Sequence, residues 1–219
     1  MSGDVIVLGA GGGGVEIAEA LWLAARDGSG PRGLGFLDDD PGAAGHPALG
    51  LAALGRIDDA PRFAHASFVL GIAADRHLRA REAVVRRLAL PAQRWLSFVH
   101  PSAHCSPSAR LGAGVVLMEQ AIVGPRCTLG DHVRVCARAC VGHDTRLDDG
   151  VVVAPAATLS GRVRVGAGAY VGAAAAVAPD LSIGARARLG LGAVVVRDVE
   201  EAAAGGGNPA RPIASRNGP

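Results

Sequence analysis

The chain contains no lysine, so all 22 of its basic residues are arginine. Set against 20 acidic residues, they leave a formal net charge of +2, which is too small to favour nucleic acid as a partner. No run approaches the roughly 18 uncharged apolar residues that a transmembrane helix needs. Asp4, close to the start, argues against a signal peptide. These absences predict a cytoplasmic protein that binds neither nucleic acid nor a membrane.

Cysteine and aromatic residues are also scarce. The four cysteines show no CxxC spacing, and Cys105 and Cys127 are most simply buried small hydrophobic residues. Aromatic residues make up only 3% of the chain, although 49% of it is hydrophobic. Such a composition suits a narrow interior that is filled by Val, Leu, Ile and Ala.

The sequence does contain a six-residue repeat, which runs from Leu111 to Val195. Every sixth residue is aliphatic, and the residue two places before it is usually small, as Ala109 is before Leu111. Positions i and i−2 of a strand point the same way, so both are predicted to face inward. Three repeats make one triangular coil, and residue n+18 then lies about 4.8 Å from residue n along the ladder. This spacing predicts a parallel β-helix rather than a sandwich, whose turn signals recur about every 8–12 residues.

A different pattern precedes the repeat. A short apolar strand over residues 4–8 leads into a glycine-rich turn from Gly9 to Gly14. A helical pattern follows, whose packed face is predicted to carry Val15, Ile17, Ala18, Leu21 and Leu23. Such a turn lets backbone N–H groups approach a phosphate at the positive end of a helix. A tight turn without a ligand is the alternative.

Two more strands are predicted at residues 33–37 and 67–70. A helix capped by Asp75 is predicted to run to about residue 90, with its arginine side chains facing solvent. Asp38 and Asp39 follow the second strand, where carboxylates can accept hydrogen bonds from a ribose or a base. A solvated turn is the alternative there. Only about 90 residues precede the β-helix, enough for half of a Rossmann fold, so a mononucleotide-linked ligand is favoured over NAD.

His143 is the histidine that the repeat singles out. It lies at a coil corner, two residues after Val141, and Asp144 follows it. Stacking of one coil on the next puts Pro125 on one side of it and Gly161 on the other. Because glycine has no side chain, this arrangement leaves room for a substrate beside the imidazole.

The same arithmetic places Asp144 between Arg126 and Arg162. We interpret the two guanidinium groups as holding Asp144 ionised, while Asp144 favours His143 as it takes up a proton. A surface ladder of charges that contributes little is the alternative. The histidines form no set of ligands at a common coil position, so no metal is expected.

Together these motifs resemble one family. They are Val-Leu-Gly-Ala-Gly-Gly with Phe36-Leu-Asp-Asp39, the β-helix, Val141-Gly-His-Asp144, and Gly207-Asn-Pro-Ala-Arg211. The combination is similar to the hexapeptide-repeat sugar O- and N-acyltransferases, which include sialic acid O-acetyltransferases and N-acetyltransferases of UDP- and GDP-amino sugars. The resemblance implies an α/β half-Rossmann domain that binds a nucleotide sugar (1–98), a left-handed parallel β-helix (99–204) and a C-terminal tail (205–219).

The resemblance also implies a chemistry, with acetyl-CoA as the donor and a homotrimer whose active sites lie between neighbouring subunits. His143 would be the general base that deprotonates the sugar amine or hydroxyl, with Asp144 as its carboxylate partner. Gly161 would offer its amide near the thioester carbonyl, and Ala173 and Leu191 would line the pantetheine. The sugar nucleotide would be held by Gly9, Gly11, Gly12, Gly13, Asp38 and Asp39.

Four features depart from the family pattern. Gly13 replaces a histidine of the turn, Val152 replaces a second histidine, Cys136-Ala-Arg138 replaces Asn-Thr-Gly, and Glu201-Ala-Ala replaces Pro-Gly. The base is kept, and N-acetylation of a nucleotide-linked amino sugar is favoured, with sugar O-acetylation second. The alternatives of other classes are a non-catalytic trimeric β-helix that binds sugar nucleotides and, from the glycine turn alone, an NAD-dependent oxidoreductase.

Overall fold

The structure is a computed structural model that describes residues 3–28, 30–43, 45–73 and 78–213. It divides into two compact units, Met1–Pro101 and Ser102–Pro219. None of the helices in these described ranges is long and apolar enough to cross a bilayer.

The first unit is built on a four-stranded parallel sheet of order β3-β2-β1-β4. This order is the first half of a doubly wound Rossmann sheet, as predicted, and it places the carboxyl ends of β1 and β4 side by side. The elements of the unit are β1 (Asp4–Leu8), α1 (Gly12–Arg26), β2 (Arg32–Leu37), β3 (Ala52–Gly55), β4 (Ser67–Leu70), α2 (Leu78–Leu88) and β5 (Phe98–Val99), with short 3-10 helices at Pro47–Leu49, Ile57–Arg62 and Ala92–Arg94.

The helices differ from the predictions in three details. Leu23, expected on the packed face of α1, is 48% exposed, and Ala20 and Ala24 are buried instead. Arg81, expected to face solvent from α2, is buried and donates a hydrogen bond to the Ile72 carbonyl at 2.6 Å. The predicted cap Asp75 lies outside the described residues.

The second unit is a stack of coils, each of which gives one two-residue strand to each of three sheets. Strands three repeats apart pair in parallel, as Leu129 pairs with Leu111 and Leu147, which confirms the predicted coil length. The first sheet contains β7 (Arg110–Leu111), β10 (Thr128–Leu129), β13 (Arg146–Leu147), β16 (Arg164–Val165) and β19 (Ser182–Ile183). The second sheet contains β8 (Val116–Leu117), β11 (Arg134–Val135), β14 (Val152–Val153), β17 (Tyr170–Val171), β20 (Arg188–Leu189), β22 (Ala204–Gly206) and β23 (Arg211–Pro212). The third contains β6 (His104–Cys105), β9 (Ile122–Val123), β12 (Cys140–Val141), β15 (Thr158–Leu159), β18 (Ala176–Val177) and β21 (Val194–Val195).

The bore of the stack is apolar, as the repeat predicts. The aliphatic residue of every repeat from Leu117 to Val195 is buried, and the small residue two places before it packs against the same core, except at Leu147, where that residue is the buried but polar Thr145. Every sixth residue from Gly114 to Gly192 has a positive φ, one residue at each corner. This conformation turns the chain from one sheet into the next. Each corner therefore presents side chains in columns that repeat once per coil.

The end of the stack extends past the predicted limit of the β-helix. Ala204 and Gly205 pair in parallel with β20, and the antiparallel strand β23 then pairs with β22. The predicted boundary between residues 204 and 205 thus falls inside a strand. Glycines such as Gly205 and Gly206 give a poor strand signal, although their backbone completes the ladder.

Replacing Leu129 by Ala should lower the free energy of unfolding by about 2–5 kcal/mol, because Leu129 is buried in the bore and the change leaves a cavity. The matched control is Thr128→Ala on the exposed side of the same strand, which should change stability by less than about 0.5 kcal/mol. Urea unfolding followed by circular dichroism measures both. Equal effects of the two changes would contradict the inward and outward assignment.

Candidate active site

The corner that carries His143 lies between β12 and β13 and is fixed by its neighbours in the stack. The amide of Asp144 donates to the Pro125 carbonyl at 2.9 Å, and the His143 carbonyl accepts from the Arg162 amide at 2.8 Å. Asp144 itself has φ +59, the left-handed corner conformation. The backbone therefore holds His143 and Asp144 between the coils below and above.

His143, Asp144 and Arg126 form a hydrogen-bonded chain. The imidazole Nδ1 lies 2.7 Å from Asp144 Oδ2. Arg126 binds the same carboxylate through two bonds, Nε to Oδ1 at 2.6 Å and Nη2 to Oδ2 at 2.8 Å. The Arg126 bond, followed by that of His143, holds the pKa of Asp144 well below its usual range.

This chain decides which imidazole nitrogen can take up a proton. An ionised carboxylate only accepts hydrogen bonds, so Nδ1 carries the hydrogen in the neutral ring. Nε2 then has a lone pair, and the His143 side chain is 49% exposed. The arrangement can accept a proton at Nε2 and stabilise the resulting charge through Asp144.

Gly161 lies directly against the imidazole, as the stacking predicts. A Cβ at this position would lie 2.5 Å from both Cε1 and Nε2 of His143. Within the described chain, the Gly161 N–H donates no hydrogen bond. The structure thus brings together a basic nitrogen and an unused amide donor.

Arg162 is placed differently from the prediction. Its guanidinium binds Asp180, with Nε to Oδ1 at 2.5 Å and Nη2 to Oδ2 at 2.8 Å, and not Asp144. The interpretation that two guanidinium groups hold Asp144 ionised is therefore wrong for Arg162, whose side chain extends toward the following coil; Arg126 and His143 lower the pKa of Asp144. Arg126 alone among the described arginines binds the carboxylate.

An open cavity of about 350 Å³ adjoins this corner, and sequence reasoning missed three of its residues, Arg164, Asp180 and Ser182. Arg164 and Ser182 are outward residues of the first sheet and pair with each other on adjacent strands, and Asp180 lies one coil beyond Arg162, so the register could have placed them together. The residues that line the cavity are all polar, and they carry charges of both signs: Asp144, Arg162, Arg164, Asp180 and Ser182.

Ala173 and Leu191 lie at another corner of the same chain. They follow β17 and β20 of the second sheet, whereas Gly161 follows β15 of the third. The Gly192 amide donates to the Ala173 carbonyl at 2.9 Å, so the two residues belong to successive coils, and Leu191 is 79% exposed. One chain does not bring them to the corner that carries His143.

The glycine turn follows β1 and contains glycines of two kinds. Gly9 has φ +99, and a Cβ on Gly14 would lie 1.9 Å from the Gly9 carbonyl oxygen, so the fold itself requires these two. Gly11, the N-cap of α1, and Gly12, its first residue, have no atom within 4 Å of an added Cβ. Gly13 continues the first turn of α1. The open side of the turn is therefore accessible to a ligand.

Asp38 and Asp39 have separate partners. The Asp38 carboxylate accepts from the Ala10 amide at 2.6 Å, which joins it to the glycine turn. Asp39 instead accepts from Arg87 Nη2 at 2.7 Å and from the Ile57 amide at 3.2 Å. Burial raises the pKa of Asp39, but the bonds from Arg87 and Ile57 outweigh it and lower the pKa overall. The structure thus brings Asp38, but not Asp39, to the glycine turn.

Two other kinds of chemistry find little support here. Among the residues that the structure describes, no group of three or more His, Cys, Asp or Glu side chains is placed to hold a metal ion. Burial raises the pKa of the Cys140 thiol, which disfavours a thiolate nucleophile near His143.

The sequence matches no protein-family model and no curated protein, but solved structures resemble it over nearly its whole length. The acetyltransferase domain of PglB from Neisseria gonorrhoeae, in complex with acetyl coenzyme A, has a TM-score of 0.84 and 30% identity over 97% of this chain and 100% of that chain. PerB from Caulobacter crescentus, in complex with CoA and GDP-perosamine, has a TM-score of 0.83 and 30% identity, covering 97% of this chain and 98% of that chain. WeeI from Acinetobacter baumannii shares the fold, with a TM-score of 0.68 at 22% identity over 95% of this chain and 99% of that one.

The chain belongs to the sugar O- and N-acyltransferase family of hexapeptide-repeat enzymes. Its coils form the left-handed parallel β-helix of that family. The protein is therefore an acyltransferase of the sugar N- or O-acetyltransferase class. This membership sets aside the interpretation of the glycine turn as part of an oxidoreductase.

Replacing Gly161 by Ala should displace the imidazole, because the new Cβ would lie within 2.5 Å of two of its ring atoms. A misplacement of about 1 Å can cost a factor of about 100 in rate, so acyl transfer should fall by that order. Gly190→Ala is the control, since its Cβ meets the Gly205 carbonyl oxygen at 3.5 Å and the Gly206 Cα at 3.7 Å, both ordinary contacts. Full activity of the Gly161 variant would contradict the described contact.

Proposed function

We propose that the protein transfers an acetyl group from acetyl-CoA to the amine of a nucleotide-linked amino sugar. The observation that carries the proposal is the chain from Arg126 through Asp144 to His143, set against the unused amide of Gly161. The PglB domain binds acetyl coenzyme A, and PerB binds CoA and GDP-perosamine. Acetyl-CoA is accordingly the co-substrate.

The proposed reaction needs one base and one oxyanion donor. The amine attacks the thioester carbonyl, and Nε2 of His143 takes the proton that the amine loses. The carbonyl oxygen becomes an oxyanion, which the Gly161 N–H stabilises by donating a hydrogen bond. When the C–S bond breaks, the imidazolium returns its proton to the CoA sulfur, and the amide product and free CoA leave. No covalent enzyme intermediate is formed.

The acceptor's nucleotide is proposed to bind at the glycine turn. Gly9, Gly11, Gly12 and Gly13 surround the N-terminus of α1, where N–H groups favour phosphate. Asp38 adjoins the same turn, so it is the better placed of the two carboxylates. Asp39 follows Asp38 directly and remains part of the proposed nucleotide site, although its carboxylate is bound by Arg87 and the Ile57 amide and not by the turn.

A homotrimer with active sites between neighbouring subunits is also proposed. On the third sheet the outward residues are uncharged between β9 and β21, and Ile122 is 45% exposed. This face ends at the corner that carries His143. A neighbouring copy would cover the face and would supply, from its own corner, the Ala173 and Leu191 that are proposed to line the pantetheine. All four cysteines lie in the described part of the chain and none forms a disulfide there, which supports the proposed cytoplasmic location.

Replacing His143 by Ala should lower kcat by about 100- to 10,000-fold, the range that a general base contributes. The assay measures release of free CoA thiol with GDP-perosamine and UDP-linked amino sugars as acceptors, and with sialic acid as the O-acetylation alternative. Arg110→Ala, an exposed outward residue two coils below, should keep normal turnover. Undiminished turnover in the His143 variant would contradict the proposal that His143 is the general base.

The charge of Asp144 is not expected to change in the neutral pH range. The bond from Arg126 lowers the pKa of Asp144, so this carboxylate stays ionised above its ordinary value of 3.8 and is protonated only as the pH falls far below it. Asp144→Asn removes the carboxylate and should therefore lower kcat/KM by up to about 100-fold both at pH 6 and at pH 8, because the imidazole loses the group that orients it. Equal kcat/KM for the variant and the unchanged protein at either pH would contradict this role of Asp144.

Ile122→Asp should disrupt the proposed trimer, because it would bury a charge on an apolar interface. Size-exclusion chromatography with light scattering should give the monomer mass, and activity should fall with it. Thr128→Asp, which is outward on the first sheet, serves as the control. An unchanged trimer mass in the Ile122 variant would refute the assignment of this face.

A further inference from the structure

One thiol and one hydroxyl interrupt the row of small aliphatic residues that line the bore. Each repeat from Ala109 to Ala193 has a small inward residue two places before its large aliphatic one. This small residue is Ala, Val or Leu in all of these repeats but two, which have Cys127 and Thr145 instead. These two are three repeats apart, so they stack in one column. Thr145 is only 1% exposed and is the one hydroxyl among these inward positions. A buried hydroxyl in an apolar interior is costly unless it is hydrogen-bonded.

Thr145 is hydrogen-bonded in both directions. Its Oγ1 donates to the Ser160 carbonyl at 3.1 Å and accepts from the Val163 amide at 3.3 Å. The Ser160 carbonyl belongs to the same peptide group as the Gly161 N–H. On the other side this peptide packs against Gly142, where an added Cβ would lie 2.8 Å from the Gly161 nitrogen. Thr145 thus binds one end of the peptide group whose other end lies beside His143.

Cys127 repeats this contact one coil earlier. Its Sγ lies 3.0 Å from the Gly142 carbonyl, which belongs to the Gly142–His143 peptide group. Burial raises the pKa of the Cys127 thiol, so the sulfur keeps its hydrogen and can donate it. Cys127 and Thr145 thus hydrogen-bond to the two turns that hold His143 and Gly161. The next residues of their column, Val163 and Leu181, are apolar.

We propose that Thr145 is a positioning residue, which orients the Ser160–Gly161 peptide so that its N–H points at the thioester oxygen. The proposal rests on the proposed function, in which that N–H stabilises the oxyanion. A hydrogen bond to the carbonyl end also polarises the peptide group and strengthens the N–H as a donor. Thr145 itself touches no substrate, since it is enclosed in the bore.

The direct test is the NMR signal of this peptide group. The sequence contains only three Ser–Gly pairs, at Ser2, Ser29 and Ser160, so labelling with carbonyl-¹³C serine and ¹⁵N glycine yields three amide signals. Thr145→Val keeps the shape of the side chain but removes the hydroxyl, and it should move the Gly161 signal. Thr145→Ser keeps the hydroxyl and should restore it. An unmoved signal in the Val variant overturns the proposal.

The kinetic test uses the same variants in the thiol-release assay. Thr145→Val should lower kcat about tenfold, a fraction of the roughly 100- to 1000-fold loss that follows removal of an oxyanion donor, with the KM for acetyl-CoA nearly unchanged. Thr145→Ser should recover most of kcat. Val151→Ala, at the small inward position of the next repeat, should lower the melting temperature without lowering kcat, because it removes packing alone.

The outcomes separate two kinds of failure. Normal kcat in Thr145→Val, together with an inactive His143→Ala, overturns the role of Thr145 and leaves the proposed function standing. Undiminished turnover in His143→Ala counts against the proposed function itself. An equal loss of kcat in Thr145→Val and Val151→Ala would make Thr145 a packing residue and would also overturn the proposal.

Discussion

The hydrogen-bonded stacking of one coil on the next is the constraint on which the rest of this structure depends. Each two-residue strand pairs with its counterparts in the coils before and after it, as Val135 pairs with Leu117 and Val153. A single coil cannot enclose a hydrophobic core, so each coil packs mainly against its two neighbours. An aliphatic side chain is therefore needed on each side of every coil, which is every sixth residue. The same register brings residues distant in sequence side by side at the corners. The geometry of the candidate active site is a consequence of this ladder.

The backbone ladder places four charged residues in one column at this corner, and their side chains decide which of them pair. Arg126, Asp144, Arg162 and Asp180 occupy one column with alternating sign, yet they form two bidentate pairs and no continuous chain. Each arginine reaches the carboxylate of the following coil. Asp144 is left with Arg126 on one side and the imidazole on the other, and this orients His143 through a single carboxylate.

The features of the structure that depend on the backbone repeat could be predicted from the sequence. The buried face of the β-helix, the place of His143 beside Gly161 and the glycine turn next to Asp38 all follow from strand period, coil length and the order of elements. The partner of Arg162 does not follow, because a long side chain can reach either neighbouring coil. Strand β3 escapes prediction since Ala-Ala-Leu-Gly lacks β-branched residues. Ala173 and Leu191 come from family resemblance, and the register of the coils places them at another corner.

The left-handed corner residues have a consequence for how such an enzyme changes. Every corner from Gly114 to Gly192 has a residue in the same left-handed backbone conformation, so the corners of the β-helix are equivalent in their backbone. The candidate site differs from the other corners in a few groups only: an imidazole, a carboxylate beside it, a glycine one coil later and a hydroxyl behind the turn. Its position along the stack is therefore set by the number of coils that precede it. Insertion or loss of a whole coil would move the site along the stack without changing the backbone of the other coils.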